Sequence, residues 1–97
     1  MANEPAPVQL QIQLDDDIAQ GLYVNMAMVN HSETEFTLDL IYIQPQQPKA
    51  KVRARIITSP KHCKRLLLAL QDNIGKFEAK FGDIDVSGPS PTGVHVH

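Results

Sequence analysis

The sequence has no tryptophan, one cysteine (Cys63) and only 5% aromatic residues. Any core must therefore be aliphatic. One thiol cannot close an internal disulfide, so nothing calls for an oxidising compartment. No apolar run approaches the ~20 residues of a membrane-spanning helix. The opening "MANEPAP" carries neither basic residues nor an apolar stretch, and it does not read as a signal peptide. These absences together give the expectation of a soluble cytoplasmic protein with no membrane segment.

Catalytic and metal-binding patterns are also missing. There is no Gly-rich phosphate loop. Asp15–Asp17 lack the ligand spacing of a calcium loop. His62 and Cys63 have no second ligand pair at zinc spacing, and His95 with His97 supply two ligands at most. The expectation is a non-enzyme without cofactor or metal. Cys63 reads as a small buried hydrophobe.

The most uneven absence is of positive charge. Residues 1–48 contain no Lys or Arg, yet hold seven acids, including Asp15, Asp16 and Asp17. Seven of the nine basic residues lie between Lys49 and Arg65, so the net charge of −2 hides an acidic half and a basic segment. The rest of the composition is globular, with 42% hydrophobic and 21% charged residues.

Residues 1–7, with Pro5 and Pro7, read as a flexible leader, and 87–97, "SGPSPTGVHVH", as a flexible tail. Between them, 8–86 form one domain. "VQLQIQL" alternates without a fault, with Val8, Leu10, Ile12 and Leu14 on one side, as a half-buried strand requires. Three further strands are expected. "LYVNMAMVN" puts Leu22, Val24, Met26 and Met28 inward. "FTLDLIYI" does so with Phe36, Leu38, Leu40 and Tyr42, and "AKVRARII" with Val52, Ala54 and Ile56. Ser59 is a suitable N-cap, Pro60 a suitable first helical residue and Gly82 a suitable terminator. Between them Cys63, Leu66, Leu67, Leu70, Ile74, Phe77 and Phe81 make one apolar stripe. The expected fold is α+β: about four antiparallel strands followed by one long C-terminal helix packed on the sheet.

A four-stranded sheet about 19 Å wide cannot be covered by one helix about 10 Å wide. The opposite face would carry Tyr23, Val29, Ile41, Ile43 and Ile57, and the back of the helix Leu68. These are the candidate interface residues, and they give the expectation of a homodimer or higher homo-oligomer. On that face Asp39 can lie opposite Arg53 or Arg55, with Asn25 in reach, as a structural polar group. Lys61, Lys64 and Arg65 oppose the dipole of the helix start and form a candidate anion- or partner-binding cluster.

The chain resembles a family of small bacterial and archaeal proteins known as a domain of unknown function. The pattern is G-x-Y-x-N (Gly21, Tyr23, Asn25), then E-F-x-L-D (Glu35, Phe36, Leu38, Asp39). It continues with S-P-x-x-x-K-x-L (Ser59, Pro60, Lys64, Leu66) and F-E-x-x-F-G-x-I (Phe77, Glu78, Phe81, Gly82, Ile84). The resemblance implies one compact domain and transfers no activity. In architecture alone, the order of strands then a long helix also resembles the SecB export chaperone. Two functional expectations stand. One is a homo-oligomeric protein-interaction or scaffold module, in the manner of a polypeptide holder. The alternative is nucleic-acid binding through Lys49–Arg65, which the sequence pI near 6.0 disfavours.

Overall fold

A computed structural model describes residues 8–88. The leader at 1–7 and most of the tail, with His95 and His97, lie outside the described residues. The elements are a short helix α1 (Asp16–Ala19), strands β1 (Met26–His31), β2 (Phe36–Ile43) and β3 (Ala50–Thr58), and helix α2 (Pro60–Phe81). The strands form an antiparallel sheet in the order β1-β2-β3. The chain is thus α+β, with three strands among the described residues rather than four.

The expected first strand is the missing one. Val8–Leu14 takes no regular structure, and its apolar side is open, with Val8 82% and Ile12 91% exposed. Alternation fits a segment to a sheet but cannot supply a neighbour for its backbone. The second expected strand begins at Met26, not Leu22.

The register redistributes the faces. β1 and β2 are joined by four residues, Ser32–Glu35, tied by the Ser32 N–H donating to the Glu35 carbonyl at 2.9 Å. An even loop pairs odd positions with even ones: Val29 with Leu38, Met28 with Asp39, Met26 with Ile41. Met26 and Met28 therefore share a face with Asp39 and Ile41, not with Leu38 and Leu40. A bulge between Leu40 and Ile41 places Leu40 opposite Ala54 but Ile41 opposite Val52. Arg53 is the extra residue, and Val52 moves to the face of Arg55.

Helix α2 runs 22 residues. The Ser59 Oγ accepts from the His62 N–H at 3.2 Å. Gly82 ends it at φ 96°, ψ 165°, a region essentially reserved for glycine. Its N–H donates to the Glu78 carbonyl at 2.9 Å, while the Glu78 carboxylate accepts from the Ile84 N–H at 2.8 Å. The F-E-x-x-F-G-x-I motif is a helix stop. The expected packing of this helix on the sheet does not occur: α2 buries none of its residues. The radius of gyration is 17.8 Å, against about 12.5 Å for a compact chain of this length.

The buried residues are Ile41 (4% exposed), Ile43 (7%) and Asp39 (4%). Arg55 grips Asp39 with two hydrogen bonds, Nε to Oδ1 at 2.7 Å and a terminal nitrogen to Oδ2 at 3.0 Å. These bonds hold the Asp39 carboxyl below its ordinary range; burial pushes the other way and the Arg55 charge adds to the lowering. The folded pKa is depressed, so this pair's stabilisation is complete above the unfolded value of about 3.9 and is lost as pH falls through the folded one. Asp39→Asn should lower the urea midpoint at pH 7. The gap to wild type should stay level down to pH ~5 and close below the unfolded pKa of about 3.9, as followed by denaturation at stepped pH. Gly82→Ala should cost about 1–3 kcal/mol from its backbone conformation, read as a lower thermal midpoint.

Candidate functional site: an open apolar surface with basic flanks

One residue, Ser59, separates β3 from α2. Pro60 restricts its predecessor to extended backbone, and Ser59 has φ −77°, ψ 158°. Thr58 pairs with Phe36, so the helix starts beside the first residue of β2. There Phe36, Pro60, Cys63, Lys64 and Leu67 line an open groove of about 500 Å³. His31 stacks on Phe36 at 5.3 Å between ring centroids. Cys63 is a free, half-buried thiol.

From the groove the apolar stripe runs the length of the helix. Leu66, Leu67, Leu70, Ile74 and Phe77 are each about half exposed, and Phe81 is 67% exposed. The phenyl rings of Phe77 and Phe81 meet at 5.0 Å, which orders them without covering them. Near the groove, the sheet face holding Phe36, Leu38 and Leu40 carries Val29 and Ile56, both exposed.

The candidate interface residues divide. Tyr23, Val29, Ile57 and Leu68 are exposed. Ile41 and Ile43 are buried on the middle strand and cannot form an open contact surface. Tyr23 sits edge-on to Tyr42 at 6.1 Å. The expected single face is also divided, because the odd–even register puts Val29 with Leu38 and leaves Ile41 and Ile57 on the other side.

Of the structural polar residues, Asp39 and Arg55 come together. Arg53, in the bulge, does not join them. Asn25 also lies elsewhere. Its side-chain amide donates to the Ile43 carbonyl at 3.0 Å, and its oxygen accepts from the Ile43 N–H at 2.8 Å. It extends the β1–β2 ladder with a side chain just where β1 begins. With Gly21 at φ 76° and Tyr23 against Tyr42, this accounts for the G-x-Y-x-N motif as the anchor of the chain's entry into the sheet.

Lys61, Lys64 and Arg65 are exposed and pair with no carboxylate among the described residues. Lys64 also lines the apolar groove. Asp15 accepts from the Gln13 side chain at 2.7 Å, and Asp17 from the Ile18 N–H at 3.0 Å. A second basic site lies within the Lys49–Arg65 segment that the sequence singles out for nucleic-acid binding. Lys49, Lys51 and Arg53 line an open groove of about 650 Å³ with Tyr42, Gln44 and Gln47. What the cation pattern alone does not indicate is that Gln44 and Gln47, from the turn between β2 and β3, join these cations beside Tyr42.

Among the described residues no three His, Cys, Asp or Glu side chains converge as metal ligands do, and no helix is long and apolar enough to cross a membrane. No curated protein and no solved structure matches the chain. One family model does match, over residues 1–86, which takes in nearly all the described residues and each of the motifs just located. The chain therefore belongs to the family described as "Protein of unknown function (DUF3467)".

Proposed function

We propose that this protein is a non-enzymatic, homo-oligomeric interaction module of the cytoplasm that works as a scaffold or polypeptide holder. The observation that carries this reading is the surface the chain leaves open. Its accessible area is 9230 Å², whereas a folded monomer of 10.8 kDa exposes about 5,500 Å². Obligate interfaces bury about 2,000–5,000 Å² in total, half of it on each partner, so the surface left open is ample for one. Most helix stability in proteins comes from packing of the apolar face, and α2 buries none of its residues, so a second copy's apolar face stabilises both. A two-fold pair is the commonest closed arrangement. Met26 and Met28, half-buried on β1, suit an adaptable contact with varied apolar peptides.

The helix cations fit the same reading. Lys61, Lys64 and Arg65 lack acids of their own chain among the described residues, while Asp15–Asp17 offer a concentrated acidic partner in another copy. The basic groove of Lys49, Lys51 and Arg53 beside Tyr42 favours a second reading, nucleic-acid binding, because cations around an aromatic ring suit a single strand.

Light scattering on a sizing column should give at least twice the 10.8 kDa chain mass. Leu70→Ala or Ile74→Ala should each raise the dissociation constant roughly tenfold, from about 1.5 kcal/mol of lost burial. A monomer at tens of micromolar (about the range of a moderate interface) would refute assembly. Labelled single- and double-stranded DNA and RNA should bind no tighter than micromolar at physiological salt, where charges are screened beyond about 8 Å. Submicromolar binding, lost in a Lys49/Lys51/Arg53 or Lys61/Lys64/Arg65 triple alanine variant that keeps its oligomeric state, would establish the second reading instead.

A further inference from the structure

We infer that α2 of a second copy lies along the Leu38–Leu40 side of the sheet, and that the exchange is reciprocal. This exchange rests on the self-association reading above and names the surfaces that meet. Both are open within one chain. Val29 and Ile56 are exposed on that side of the sheet, and so is the helix stripe from Leu66 to Phe81. On the middle strand the two sides differ. Asp39, Ile41 and Ile43 are buried, whereas Phe36, Leu38, Leu40 and Tyr42 are only half-buried.

The two surfaces form one continuous apolar side. Phe36 from the sheet and Cys63 and Leu67 from the stripe line the same groove. From that groove the sheet runs toward Tyr42, and α2 leaves it without burying any residue. Such a side is covered when a second copy is laid on it end for end, each helix on the other's sheet. The lengths agree, since Leu66 to Phe81 spans about 22 Å and Phe36 to Tyr42 about 20 Å. A sheet about 14 Å wide takes one helix of about 10 Å.

Charge selects this arrangement over a parallel one. Laid end for end, the close of α2 arrives at the Tyr42 end of the sheet, where Lys49, Lys51 and Arg53 line their groove. Asp83 and Asp85, just past Phe81, are exposed. Like the three cations, they have no ion-pair partner among the described residues. Opposite charges therefore meet at both ends of the pair. Laid parallel, sheet on sheet, each basic groove would face its own copy, a like-charge contact that costs affinity. Lys61 and Arg65 stand opposite the stripe at about 100° per residue and stay clear of the contact.

The test uses the full chain. Lys49→Glu with Lys51→Glu should raise the dissociation constant roughly tenfold. Adding Asp83→Lys and Asp85→Lys to the same chain should bring it back to within about threefold of wild type. In a Cys63→Ser background, Lys51→Cys chains are mixed, through unfolding and refolding, with Asp83→Cys chains of different isotopic mass. They should yield a covalent heterodimer on mild oxidation, whereas Ile57→Cys chains, altered on the opposite side of the sheet, should yield none with Asp83→Cys. The exchange is overturned, with assembly left standing, by an oligomer in which the first charge reversal changes nothing or the second does not rescue it. It is equally overturned if no disulfide joins the copies, if Ile57→Cys joins as readily as Lys51→Cys, or if a Lys51→Cys/Asp83→Cys double variant closes only within one chain. A wild-type monomer at tens of micromolar (again about that range) overturns both and leaves these surfaces to a partner other than a second copy.

Discussion

Among the described residues the middle strand has a neighbouring strand on each edge, and every buried residue lies on it. Ile41 is flanked by Met26 and Val52, Asp39 by Met28 and Arg55. Cross-strand pairs are the unit by which a sheet is stabilised, and here they are nearly all the chain has. Three strands span about 14 Å, wider than one helix of about 10 Å, yet α2 buries none of its residues against them, and the sheet is left without a second layer among the described residues. The exposed helix stripe, the unpaired N-terminal segment and the large accessible surface all follow from that lack of a second layer.

Much of the local structure was legible in the residues. Ser59, Pro60 and Gly82 marked both ends of α2, because capping is local chemistry between a side chain or backbone angle and the nearest turn. The strands at Phe36 and Ala50 were readable from their β-branched and aromatic alternation. What could not be read was anything depending on which residue faces which. The face assignments of β1 failed on the parity of a four-residue loop, and that of Val52 on a bulge at Arg53; neither leaves a mark on hydrophobic period. Asp39 was legible as a partner for Arg55 because charge of opposite sign on neighbouring strands is visible without exact register. Asn25 was not, since a side chain that substitutes for strand backbone has no compositional signature beyond its place in a motif.

The same distinction governs the candidate surface. Lys61, Lys64 and Arg65 were identifiable because they break a local rule at a helix start. The groove of Lys49, Lys51 and Arg53 breaks none. It exists because the hairpin turn between β2 and β3 folds Gln44 and Gln47 beside Tyr42, a tertiary event. The apolar surface was anticipated in kind but misplaced. It lies along α2 and the Leu38–Leu40 side of the sheet, not across Ile41 and Ile43.

The junction at Ser59 has a geometric consequence. With one extended residue between strand and helix, and Pro60 removing most of its freedom, the heading of α2 is dictated by β3 and not by any contact further along. Each residue inserted into the first turn of α2 would advance the helix phase by about 100° and swing the Leu66–Phe81 stripe away from the side on which the sheet exposes Leu38 and Val29. The chain's two apolar regions are thus clocked to one another by a single peptide unit, and the length of that link, as much as the identity of the side chains, determines what shape of partner they can jointly accept.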